Sequence, residues 1–104
     1  EPPRPLFESG VFPALVRLDN GLLLLAYGRP GVRVATSRDG GRTWTGPVST
    51  VGGEAWGNGS HTCGYTNLLP LRNGTALLVY SNFKATGPDG QPCKSVEVCR
   101  IATE

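Results

Sequence analysis

Several side chains in this 104-residue sequence are of types that do chemistry on sugars or acids. Arg29, in Gly28-Arg29-Pro30-Gly31, carries a planar guanidinium that can grip a carboxylate through two parallel charge-assisted bonds, which the point charge of a lysine cannot do. The same position also suits an ordinary exposed turn arginine. Tyr65 carries a phenol with an ordinary pKa near 10, so work as a nucleophile would require a neighbouring base. It equally suits an interior aromatic at the start of a strand. His61, the only histidine, stands four residues before Tyr65 and is a candidate for substrate contact or proton exchange. Cys63 lies between them, and Asn67 and Asn82 offer hydrogen bonds to hydroxyls.

These side chains need a scaffold, and one segment describes it. In Ser37-Arg38-Asp39-Gly40-Gly41-Arg42-Thr43-Trp44 an ionised Asp39 can accept bonds from turn amides. Gly41 supplies a backbone conformation that other residues resist, and Trp44 can pack across the base of a hairpin. All of these roles are structural. With Ser37 and Thr43, these residues fill every fixed position of the Asp-box pattern Ser-x-Asp-x-Gly-x-Thr-Trp.

Comparison of the chain with itself shows a repeat. Leu15, Leu18, Asn20, Gly21, Leu24, Leu25 and Tyr27 recur 53 residues later as Leu68, Leu71, Asn73, Gly74, Leu77, Leu78 and Tyr80. In both copies an apolar run enters Asn-Gly and a second leaves it, which predicts a β-hairpin with a two-residue turn of positive φ. Tyr27 and Tyr80, at equivalent repeat positions, are read as packing residues. Val32 to Thr36 then reads as a third strand, and Val48 to Val51 as a fourth returning from the Asp-box. After the second hairpin a Gly87 to Gly90 loop leads to an alternating strand from Ser95 to Ala102. A unit of about 50 residues with four strands matches a propeller blade, and such units bury their faces only against neighbours.

Composition agrees with an all-β fold. Fifteen glycines and nine prolines, with no long amphipathic run, favour short strands and tight turns. The net charge of +2 is scattered and gives no footprint for nucleic acid or an anionic membrane. No apolar stretch approaches the roughly 18 residues of a spanning helix. Cys63, Cys93 and Cys99 lack paired Cys-x-x-Cys spacing, so no structural zinc site is indicated and free thiols are favoured. The sequons at Asn58 and Asn73 are compatible with a secreted or lysosomal setting without fixing one. The chain contains no methionine, and it is expected to be the C-terminal piece of a longer propeller.

On the Asp-box and its flanks the sequence resembles the sialidase (neuraminidase) superfamily of Asp-box, or BNR-repeat, propellers. The resemblance covers the C-terminal portion of such a domain, essentially all 104 residues here. It implies about two four-stranded antiparallel blades of a six-bladed propeller, the first near residues 10–52 and the second near 61–104. Arg29, eight residues before Ser37, takes the place of the third arginine of the family's carboxylate-binding triad. Tyr65-Thr66, followed by Leu68 to Leu71, Asn73-Gly74 and Leu77 to Tyr80, matches the motif that opens the last blade, which implies Tyr65 as nucleophile and places His61 nearby as a substrate-binding candidate. Sixteen residues after Tyr65, where the family carries a supporting glutamate, stands Ser81.

What the resemblance implies is a retaining exo-α-sialidase type of glycoside hydrolase acting on an acidic sugar, a sialoside. A neutral phenol suits that substrate, because a carboxylate nucleophile would meet the sugar's own carboxylate; sialidases are a named exception to the two-carboxylate rule. The family's acid/base aspartate, the glutamate partner of the tyrosine and the other two arginines belong to earlier blades, so the chain alone is expected to be inactive. No cofactor or metal is required. The alternative is a non-catalytic Asp-box propeller that binds glycans or proteins.

Overall fold

The computed structural model describes residues 2–29, 31–51 and 65–103. The protein is all-β, and among the described residues its strands are β1 (Val11–Arg17), β2 (Leu23–Gly28), β3 (Val32–Ser37), β4 (Thr45–Val51), β5 (Thr66–Pro70), β6 (Thr75–Thr86) and β7 (Pro92–Ala102). They form two antiparallel sheets of neighbouring strands, β1-β2-β3-β4 and β5-β6-β7. The second sheet therefore has three strands among the described residues, where the blade pattern predicts four. Two sheets make no closed ring.

The two halves of the repeat do fold as hairpins, but their turns differ. In the second, Asn73 (φ 60°) and Gly74 (φ 67°) are both left-handed, and the Thr75 N–H donates to the Arg72 carbonyl at 3.3 Å. That is the left-handed Asn-Gly turn expected, but the Leu71 N–H also donates to the Thr75 carbonyl at 2.8 Å, so the strands keep the same register as in the first hairpin, with Arg72, Asn73 and Gly74 between them. In the first, the Gly21 N–H donates to the Leu18 carbonyl at 2.9 Å and the Leu18 N–H to the Leu22 carbonyl at 2.8 Å, so Asp19, Asn20 and Gly21 form a three-residue loop. Only Gly21 (φ 85°) is left-handed there. The Asn20 side-chain oxygen accepts the Leu22 N–H at 3.1 Å, a local bond typical of asparagine, and the backbone bond of this turn falls one residue earlier than an Asn-Gly reading predicts.

The core lies between the sheets. Leu18, Leu22, Leu24, Ala26 and Val32 pack with Leu68, Ala76, Leu78 and Tyr80, flanked by Ala14, Val16, Val34, Cys99 and Ile101. Period-2 alternation places these side chains on one face of each sheet. The turns lock that packing at one end: the Asp19 carboxylate accepts the N–H groups of Asn73 (2.8 Å) and Gly74 (2.7 Å). At the other end the Thr66 hydroxyl donates to the Phe12 carbonyl at 2.7 Å, tying β5 to β1.

The Asp-box sits between β3 and β4. Asp39 accepts the Thr43 hydroxyl (2.5 Å), the Thr43 N–H (2.8 Å) and the Ser37 hydroxyl (2.8 Å). These bonds hold its carboxyl well below the usual carboxylate range, the Thr43 hydroxyl contributing most. Gly41 has φ 95°, and the Trp44 indole N–H donates to its carbonyl at 3.1 Å. An arm before β1 crosses to this turn, where Arg4 donates to the Arg42 carbonyl at 2.9 Å.

Candidate functional site

Arg29 follows the end of β2, and Tyr65 immediately precedes β5. The register of the sheets puts both at the end opposite the hairpin turns. Gly28 pairs with Val32 and Leu23 with Ser37, so the Asp-box lies at the far end from Arg29. The box is structural scaffold, and Ser37, Asp39, Gly41, Thr43 and Trp44 are spent on one another within their own turn.

At the Arg29 end, three side chains converge. The Arg29 guanidinium carbon lies 5.9 Å from the centroid of the Tyr65 ring, within the range of a cation–π contact. The Phe12 ring lies 4.0 Å from the same ring at an interplanar angle of 45°. Both aromatics are open to solvent, Phe12 at 59% and Tyr65 at 41%. Phe12 reaches this place because β1 is irregular between Val11 and Ala14 and Phe12 itself is left-handed, at φ 49°. Arg29 is left-handed as well, at φ 59°, and its N–H donates to the Gly31 carbonyl at 3.1 Å. A non-glycine residue in this region costs about 1 kcal/mol, so two such residues beside one exposed tyrosine are a local strain that the rest of the fold sustains.

The guanidinium keeps one donor unpaired. Arg29 Nε is buried and has no hydrogen-bond partner among the described residues. An arginine beside a ring with an unpaired donor can take an anion, and a carboxylate matches guanidinium fork geometry. Tyr65 is fixed by its backbone: its N–H donates to the Ser81 hydroxyl at 3.1 Å and its carbonyl accepts the Ser81 N–H at 3.2 Å. Ser81 thus positions the Tyr65 backbone.

Glu97, on β7, is engaged with its own sheet. It accepts the Asn82 amide at 3.2 Å, the Ser95 hydroxyl at 3.2 Å and the Tyr80 hydroxyl. Tyr80 is buried in the core, as its repeat position predicts. His61 and Cys63 lie outside the described residues. Among those described, Cys93 and Cys99 are free thiols, no group of three or more metal-ligating side chains occurs, and no helix is long and apolar enough to cross a membrane.

Phe12 and the Asp19 clamp are the parts that sequence reasoning misses. Phe12 has no motif to mark it, since its role depends on an irregularity in β1. Asp19 directly precedes the repeated Asn-Gly, yet its counterpart 53 residues on is Arg72, so it falls outside the repeat that marks its neighbours.

Two clefts of about 590 Å³ and 560 Å³ lie elsewhere, on the outer face of the first sheet beneath the N-terminal arm. Their walls include Phe7, Tyr27, Arg33 and Leu15, and neither includes Arg29 or Tyr65. Comparison with known proteins returned no match to a family description, to a characterised protein or to a solved structure.

Proposed function

We propose that this chain forms the carboxylate-gripping and nucleophilic edge of a sialidase-like glycoside hydrolase built as a propeller, acting on an acidic sugar. The observation that carries this reading is the pairing of Arg29 with Tyr65, 5.9 Å apart though they come from different sheets. Arg29 holds the substrate carboxylate, bringing the anomeric carbon that bears it toward the exposed phenol. The Tyr65 oxygen attacks that carbon, its proton passes to a base, and the leaving alcohol takes a proton from a general acid; water then releases the sugar with retention. The base and acid come from other blades in this reading.

A second reading is favoured by the open aromatic pair. Phe12 and Tyr65 beside Arg29 also make a platform on which an acidic sugar can stack without being cleaved. The replacement of the expected glutamate by Ser81 fits that module as well.

Titration of the chain with free N-acetylneuraminic acid, followed by NMR of the arginine Nε–H and tyrosine ring signals, tests the shared step. Shifts at Arg29 and Tyr65, lost in Arg29→Ala and absent with a neutral amino sugar, are expected. No shift at millimolar sugar removes both readings. Hydrolysis of a fluorogenic sialoside by an intact propeller carrying these residues, abolished by Tyr65→Phe, separates hydrolase from binding module.

A further inference from the structure

The two sheets meet through unlike faces. The first contributes Ala14, Val16, Leu24, Ala26, Val32 and Val34, and the second contributes Leu68, Ala76, Leu78 and Tyr80. Under the 53-residue offset these are different surfaces of the same unit. The counterparts of Val16, Leu24 and Ala26 are Leu69, Leu77 and Val79, on the outer face of the second sheet. The counterparts of Leu68, Leu78 and Tyr80 are Leu15, Leu25 and Tyr27, on the outer face of the first.

Pairing extends the correspondence to the third strands. Ala26 pairs with Val34 and Gly28 with Val32, while Val79 pairs with Val98 and Ser81 with Val96. Val32 is fully buried in the interface, yet its equivalent Val96 is 77% exposed and Val98 is 59% exposed. The outer face of the second sheet therefore repeats, in apolar character at Leu69, Leu77, Val79, Val96 and Val98 though not at Asn67, the counterpart of Ala14, a surface that the first sheet already buries against a sheet of this kind.

We infer that this face, formed by Leu69, Leu77, Val79, Val96 and Val98, docks onto the outer face of the first sheet in a second copy of this chain. The contact is head-to-tail, continues the interface within the chain, and can close into a ring or run on. The receiving face presents Pro13, Leu15, Leu25 and Tyr27, which with the N-terminal arm enclose a cleft of about 560 Å³. In the isolated chain the N-terminal arm sits there, with Phe7 stacked on Tyr27 at 5.4 Å, so docking displaces the arm. The new contact also lacks the turn clamp, because Arg72 stands where Asp19 stands in the first unit. It is therefore reversible and dependent on concentration. This inference rests on the repeat and is independent of the Arg29–Tyr65 reading.

Sedimentation of the full chain under reducing conditions, from micromolar to millimolar, tests it. The mass is expected to rise with concentration above the 11.0 kDa monomer. A Val96→Lys, Val98→Lys double variant, checked for its strand signature by circular dichroism, is expected to stay monomeric. Phe7→Ala, which uncovers Tyr27, is expected to shift association to lower concentration. A wild-type chain that stays monomeric at millimolar concentration overturns the proposal, as does association that the lysines leave unchanged. If the double variant fails to fold, the Phe7→Ala result decides: no gain in association counts against the proposal.

Discussion

The Asp19 carboxylate and the Gly74 amide, 2.7 Å apart, join the two hairpin turns across the sheet interface. The second carboxylate oxygen takes the Asn73 N–H at 2.8 Å. A left-handed Asn-Gly turn aims successive N–H groups outward, which makes a small anion nest. Asp19 fills it, and the two bonds hold its carboxyl below the usual range, the Gly74 bond most strongly. Asp19→Ala is expected to lower the thermal midpoint by a few degrees, and Asp19→Asn, with only one acceptor oxygen, by an intermediate amount. Amide exchange at Asn73 and Gly74 should accelerate in both, which a change elsewhere in the fold would not reproduce.

Gly74 is required for a second reason. A Cβ there would overlap the Asn20 amide nitrogen and approach Thr103 Oγ1 to 3.0 Å, in addition to the strain of φ 67°. Gly90 has a similar φ of 81°, but a methyl group at that position would project into open space. Gly90→Ala is thus expected to cost about 1 kcal/mol from backbone conformation alone, and Gly74→Ala distinctly more. Urea unfolding of the two variants measures the difference, and equal costs would show that the close approach of the turns is unimportant.

Acid should loosen the same features. Asp39 and Asp19 both have folded pKa values below their ordinary value, held there by hydrogen bonds to the ionised form. A depressed carboxyl stabilises the fold fully above its unfolded pKa of about 3.9 and loses that contribution as pH falls toward the folded value. The unfolding midpoint is therefore expected to be flat above about pH 5 and to drop below about pH 4. Asp39→Asn should flatten part of that drop.

The legibility of this chain follows the range of its interactions. The Asp-box is readable because its hydrogen bonds run between Ser37, Asp39 and Thr43 within one turn. The hairpins are readable because Asn-Gly and flanking apolar runs are local signals, although Asn20 bonding to Leu22 closes one turn differently from the other. Period-2 alternation marks Leu24 and Leu78 as apolar strand positions, but not that the two sheets would use opposite faces of the repeat. The meeting of Phe12, Arg29 and Tyr65 depends on left-handed conformations at Phe12 and Arg29, and neither is a residue type that announces such a conformation.

The interface between the sheets should dominate stability. Leu24 and Leu78 are fully buried there, whereas Leu69 is 55% exposed on the outer face. Truncation of either buried leucine to alanine is expected to cost about 2–5 kcal/mol through lost burial and the cavity left behind. Leu69→Ala in dilute solution is expected to cost under about 1 kcal/mol. Chemical denaturation of dilute protein distinguishes them, and a large loss from Leu69→Ala would mean that its face is covered even in the monomer.

Alkaline pH probes the other end of the core. The Tyr80 phenol is pushed up to about 12, first by burial and then by donation to Glu97 and the nearby Glu97 and Cys99 charges. Burial also raises Tyr27, where the Arg33 charge and bond act in the opposite direction. A phenol whose pKa is raised by folding contributes stability below its unfolded value of about 10 and loses it as pH climbs toward the folded value. Tyrosinate absorbance is therefore expected to show a late step near pH 12, accompanied by falling stability from about pH 10. Glu97→Gln removes the charge but leaves the burial. The late step should move down in that variant while remaining above the ordinary tyrosine value, whereas a complete return to that value would assign the shift to Glu97 alone.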